Sequence, residues 1–218
     1  MTRRNNARLA GFAYLFYIAV AFPSMVLMSR ATSGEGMAAK LASVAQHATD
    51  VHVAAVLSLF SSFCALALAV SLWAITRDQD ADLAMLGLTC RVAEGVTGAV
   101  SIPASLGLLW LATSAPDPAS AQTLAGFVLE DSPLVAASFF ALGSTLFSWL
   151  LLRGRMIPVP LAWLGVVASI LIVVGLPLQL GGLLHGAVTQ LMWLPMAAYE
   201  IPLGFWLLIK GVAPLEAR

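Results

Sequence analysis

The sequence predicts an all-α polytopic membrane protein: a bundle of six transmembrane helices with short interfacial helices on the outer side. Three observations predict it. Of 218 residues, 60% are hydrophobic and only 10% are charged, against about 25% charged in a soluble domain. Six apolar runs reach the roughly 20 residues needed to cross a hydrocarbon core. These runs lack the alternation of barrel strands, so each backbone satisfies itself as a helix. So little polar surface cannot coat a water-soluble globule, which excludes a cytosolic enzyme and a disordered chain. Eleven basic and eleven acidic residues cancel, leaving no basic field for nucleic acid.

The spans run over Leu9–Met28, Val51–Ile75, Leu83–Leu111, Pro133–Leu152, Pro160–Leu184 and Thr189–Ile209, within one transmembrane domain covering residues 1–218. The first is too long for a signal-peptide apolar region and lacks a cleavage site, so it is expected to stay as a helix. Between the first and second spans, Met37, Leu41 and Val44 recur at helical spacing. They predict a short amphipathic helix in the outer interface. Between the third and fourth, Leu124, Phe127 and Val128 follow a proline-rich start and predict a second interfacial turn or helix. No repeat relates the first three spans to the last three, so inverted-repeat architecture rests on topology alone.

Orientation follows from the basic residues. Arg3, Arg4, Arg8, Arg77, Arg153, Arg155, Lys210 and Arg218 fall on one side, Arg30 and Lys40 on the other, and Arg91 within a span. This predicts a multi-pass protein of the cytoplasmic membrane with both termini cytoplasmic. Trp73, Trp149, Trp163 and Trp206 mark inner ends of spans, and Trp110 and Trp193 outer ends. Ligands from outside the cytoplasm are expected to meet the outer face.

Charges inside spans are costly unless paired or facing water. Arg91 and Glu94 share one face of the third span. They lie about 12 and about 16 Å from its cytoplasmic end at 1.5 Å per residue. Glu200 of the sixth span lies about 15 Å deep by the same rise. The three form the candidate ligand- or proton-binding centre. With both glutamates ionised the trio carries a net negative charge, so one glutamate holds a proton or a further cation joins. The alternatives are a structural clamp between two helices, or a helix rotation that separates the groups. Pro23, Pro103, Pro177 and Pro195 fall in outer halves of spans, where kinks could splay the bundle into an outward cavity; Pro202 closely follows Glu200. Packing alone is the competing explanation for these prolines.

No Walker loop, GxSxG, GxGxxG or HExxH occurs, so no catalytic residue and no cofactor is expected. His47, His52 and His185 lie on the outer side with Asp50, Glu130 and Asp131. Only His52, His185 and Asp50 suggest a metal, and their spacing specifies no coordination geometry. Cys64 and Cys90 read as small hydrophobes in helix interfaces. Gly95, Gly98, Gly143, Ser144, Gly165 and Ser169 read as points of close helix approach.

Four segments occur in a telling order: RLAGFAYLFYI at Arg8–Ile18, CRVAEGV at Cys90–Val96, VPLAWLGV at Val159–Val166 and AAYEIPLGFWLLIKG at Ala197–Gly211. Together they resemble the bacterial six-helix membrane family catalogued as domain of unknown function 4386, over roughly Arg8 to Gly211. The family's Arg-then-Glu in the third helix is matched by Arg91 and Glu94. Its Glu ahead of Trp-Leu-Leu and Lys-Gly is matched by Glu200, Trp206, Lys210 and Gly211. Members often carry an acidic residue in the second helix, where this chain has Ser61–Ser62. The resemblance implies fold and location and supplies no activity.

Three functional readings follow. The first is a protein that binds or transports a small apolar or protonatable ligand through the Arg/Glu centre. The second is a non-catalytic accessory or sensory subunit. The third is a metal-dependent intramembrane enzyme acting on lipids. The bilayer is the expected partner of all three, with a small-molecule ligand for the first.

Overall fold

A computed structural model describes residues 2–130 and 134–213, and these residues form helices, turns and loops with no strand among them. The helices are α1 (Arg3–Ala31), α2 (Met37–Gln46), α3 (Ala48–Thr76), α4 (Ala81–Ser114), α5 (Pro118–Glu130), α6 (Leu134–Arg153), α7 (Val159–Leu180), α8 (Ala187–Leu191) and α9 (Leu194–Ile209). Six helical segments are long and apolar enough to cross a membrane; the fourth, Pro118–Arg153, runs over residues outside those described, and the sixth is Ala187–Ile209. Asp131, the span start at Pro133, Arg218 and the side chain of Glu130 also lie outside the described residues.

Two departures from the expected spans have local causes. The fifth span stops at Leu180 rather than Leu184. Leu183 N–H donates to Leu178 and Gly182 N–H to Gln179, with Gly182 at φ 70°, so a left-handed glycine closes the helix. The sixth is interrupted at Met192–Trp193 between α8 and α9. Pro195 lies in the first turn of α9, where its missing N–H costs nothing. It therefore starts a helix instead of kinking one. Pro23, Pro103, Pro177 and Pro202 do lie inside helices.

The chain divides into two compact units. The first comprises Met1–Phe16, Phe63–Gly95 and Leu134–Arg218. Its core gathers Ala7, Ala10, Leu68, Leu72, Phe147, Leu150, Ile172 and Leu203. In lipid, apolar side chains gain little by leaving one hydrocarbon medium for another, so close backbone packing carries helix association. At the α1–α9 crossing, a Cβ on Gly11 would overlap the Leu208 backbone and stand 2.6 Å from the Gly204 carbonyl oxygen. Between α7 and its neighbours, a Cβ on Gly165 would collide with the Tyr199 ring and lie 2.8 Å from Ser148 Oγ. Cys64 and Cys90 are buried and free, as small core residues.

One end of this unit collects the cations. Arg3 donates to the Ile75 carbonyl at 3.2 Å, Arg77 stacks over Trp73, and Arg153 pairs with Asp80 at 3.2 Å. Asp80 also accepts from Leu83 N–H at 3.1 Å, capping the start of α4.

The second unit comprises Tyr17–Ser62 and Val96–Pro133. Here α2 packs on α5 around Leu41, Val44, Leu108, Ala121 and Ala125. The amphipathic reading of α2 holds, with Leu41 and Val44 buried. In α5, by contrast, Leu124 and Phe127 are exposed while Ala121 and Ala125 pack inward. Ser24 donates to the Ala54 carbonyl at 3.0 Å and lies 3.0 Å from the Ser58 hydroxyl. Ser61 and Ser62 return their hydroxyls to Leu57 and Ser58 of their own helix.

Outward-facing side chains are large and apolar: Phe22 is 63% and Val100 67% exposed. Facing water they would be a liability; facing acyl chains they are solvated.

The close approach at Gly11 predicts that Gly11→Ala costs about 1–3 kcal/mol through overpacking. Gly107, also helical, has nothing within 4 Å of the same position, so Gly107→Ala should be neutral or stabilise by up to about 1 kcal/mol. Thermal denaturation in detergent compares them. At the head of α5, Asp117 accepts from Ser120 N–H at 3.0 Å and Ala119 N–H at 3.3 Å. The Ser120 hydroxyl and these amides hold its carboxyl below the usual range. A depressed carboxyl contributes stability above its unfolded value, and this is lost as pH falls through the folded one. Amide exchange in the first turn of α5 should therefore quicken on acidification, and Asp117→Ala should remove the pH dependence.

Candidate functional site

The site is built in the first unit. Arg91 and Glu94 project from one face of α4, three residues apart, and Arg91 Nη1 donates to Glu94 Oε2 at 2.7 Å. Arg91 is 1% and Glu94 5% exposed. A charge-assisted bond of this length, out of water, is among the strongest single contacts available to side chains.

The rest of the unit is shaped to admit the guanidinium. Gly143 of α6 leaves room for its stem: a Cβ there would stand 3.2 Å from Arg91 Cγ and Cδ. The guanidinium carbon lies 4.9 Å from the Phe140 ring centre and 5.7 Å from that of Tyr14. Aromatic faces present negative quadrupole to the cation and give partial solvation where water is absent.

Glu200 comes from α9. Its buried residues Met196, Tyr199, Glu200, Leu203, Gly204 and Leu207 recur at helical spacing and define the core-facing stripe. Glu200 thus points inward and is 7% exposed. It is close enough to Arg91 and Glu94 to feel both charges. Its Oε1 is buried without a hydrogen-bond partner among the described residues, as is Ser144 Oγ. Beside it, the Tyr199 hydroxyl accepts from Ser148 at 2.9 Å.

The three residues singled out from the sequence are all buried in this unit. Two are in direct contact, and the third makes no ion pair among the described residues. Sequence reasoning missed Tyr14, Phe140, Ser148 and Tyr199. A tyrosine in the middle of a span was an available signal, because its hydroxyl needs a partner in hydrocarbon.

The residues considered for a metal are occupied locally. His52 Nδ1 lies 2.9 Å from the Ala48 carbonyl oxygen, His185 Nε2 meets the Gly182 carbonyl, and Asp50 faces Arg30 at 3.9 Å. Among the described residues no three His, Cys, Asp or Glu side chains are placed to hold a metal ion. The first unit also holds clefts of about 430 and about 380 Å³. Both are at its cationic end, lined by Arg155 and Lys210 or by Arg3 and Arg77, and none of the outer prolines lines them.

Removing one member of a buried pair strands the other charge. Glu94→Gln is expected to cost about 3–5 kcal/mol, and replacing both Arg91 and Glu94 by leucine considerably less than the sum of the single changes. A double-mutant cycle on unfolding in detergent checks this; additivity would show that the two residues do not depend on each other.

Comparison with curated proteins finds no significant match, and no solved structure matches either. The family model described as "Domain of unknown function (DUF4386)" matches residues 9–211, a stretch that includes Arg91, Glu94 and Glu200. With nearly its whole length covered, the chain belongs to that family.

Proposed function

We propose that Arg91, Glu94 and Glu200 form an ionisable centre that binds, and by changing its protonation moves, a small apolar or protonatable ligand. The observation that carries this is the buried Glu200 carboxyl, whose Oε1 lacks a hydrogen-bond partner among the described residues while Glu94 already answers Arg91. An ionised carboxylate there is expensive without a cation or donor. Glu200 therefore either keeps a proton or receives one, or a ligand's donor, on loading. Arg91 anchors the polar end of the guest, and Phe140 and Tyr14 supply apolar walls.

The protein is assigned to the cytoplasmic membrane, with the end bearing Arg3, Arg77, Arg153, Arg155 and Lys210 facing the cytoplasm. The support is the uneven distribution of basic residues, which governs topology in short loops. An accessory or sensory subunit is the second reading. The enclosure of Arg91 by Tyr14, Phe140 and Gly143 supports it, since a buried pair so packed can serve to position α1, α4 and α6.

Infrared difference spectra of the protein in liposomes, recorded across a pH jump, should contain the isolated C=O stretch of a buried carboxylic acid. Glu200→Gln should delete that band and abolish pH-driven uptake of a fluorescent lipophilic amine, leaving the fold intact. Retained uptake alongside a lowered melting temperature would instead establish the accessory reading.

A further inference from the structure

We infer that the cleft between the α6–α7 loop and the end of α9 is a binding site for the phosphate group of an anionic lipid. The cleft encloses about 430 Å³ and is lined by Arg155, Met156, Pro158, Trp206, Lys210 and Gly211, with no carboxylate among its described lining residues. Ala213 N–H donates to the Met156 carbonyl at 2.9 Å, tying its two walls together.

Backbone geometry singles out Arg155. Three helix ends in this unit turn through the left-handed region. Two use glycine, Gly182 at φ 70° and Gly211 at φ 76°, while the third, after α6, uses Arg155 at φ 48°. The hydrogen bonds are those of a glycine-type stop, Met156 N–H to Leu151 and Arg155 N–H to Leu152. A residue with a Cβ pays strain there that glycine does not. Among the described residues Arg155 is the one non-glycine residue with positive φ. Such strain persists where the side chain has a task.

Charge gives the second argument. Arg153, two residues away, is committed to Asp80. Arg155 and Lys210 make no ion pair among the described residues, and both are exposed within the same cleft. Two uncommitted cations converging on one space suit a phosphate oxyanion. The rim favours a lipid over a soluble phosphate. Val159, Trp163 and Ile209 adjoin the cleft in sequence and are exposed, a surface for acyl chains, and the Trp206 indole suits the headgroup level. The inference is independent of the reading of Glu200.

The test uses the full chain in nanodiscs of phosphatidylcholine, with phosphatidylglycerol of the same acyl composition titrated in. Lipid retention is read by native mass spectrometry and Tm by intrinsic fluorescence. Phosphatidylglycerol should bind and raise Tm. Lys210→Gln and Arg155→Gly should each weaken this about fivefold, the contribution of one cation near a lipid surface. Arg155→Gly should at the same time raise Tm in pure phosphatidylcholine, because glycine relaxes the turn. Unchanged phosphatidylglycerol binding in both variants would overturn the site. Equal stabilisation by inorganic phosphate would overturn the lipid assignment, and a lower basal Tm for Arg155→Gly would overturn the claim that Arg155 is kept for its charge.

Discussion

A guanidinium and a carboxylate 2.7 Å apart, both almost wholly excluded from solvent, set the terms for the helices around them. Neither group is tolerable alone in a hydrocarbon slab, where the cost of an unpaired charge reaches several kcal/mol. Their attraction alone does not cover that cost. The neighbouring helices supply the rest by approaching closely enough to solvate the pair: Gly143 opens a slot for the arginine stem, and Phe140 and Tyr14 face the cation. Glycine at these positions is thus as much an electrostatic device as a packing one, since a larger residue would hold the aromatic faces and the α6 backbone away from the charge.

The same geometry separates the roles of the two glutamates. Glu94 lies on the helix of its partner, so α4 carries a nearly self-contained ion pair whatever α9 does. Glu200 is supplied from another helix and makes no ion pair among the described residues. An arrangement that merely fastened α4 to α9 would be expected to route the salt bridge between them. In this protein the direct contact stays within one helix, and the carboxyl on the neighbouring helix is left with capacity to spare.

Much of the architecture was legible in the amino-acid order because lipid imposes a simple rule on long segments: twenty apolar residues in a row must become a helix. Arg91, Glu94 and Glu200 were legible for the same reason, as exceptions to the rule. The details that depend on contact were not. Tyr14 and Phe140 look like ordinary span residues until the helices are placed, because a ring that faces lipid and one that faces a cation have the same local sequence. The interruption before α9 was misread as continuous helix with a kink at Pro195, since a proline near a helix start and one inside a helix differ only in where hydrogen bonding begins. In α5 Leu124 and Phe127 are exposed while Ala121 and Ala125 pack inward, because small side chains bring helices together while large ones are at no disadvantage in oil.

Pro202, two residues beyond Glu200 within α9, leaves the backbone of that helix one hydrogen bond short. Having no N–H, it cannot donate to the carbonyl of Ala198, one turn back. The carbonyl it leaves free adds an acceptor one turn from a buried carboxyl whose Oε1 has no hydrogen-bond partner among the described residues. If Glu200 binds a guest as proposed above, two acceptors so placed would favour one that brings a hydrogen-bond donor, an amine or an alcohol, over one that brings acceptors alone.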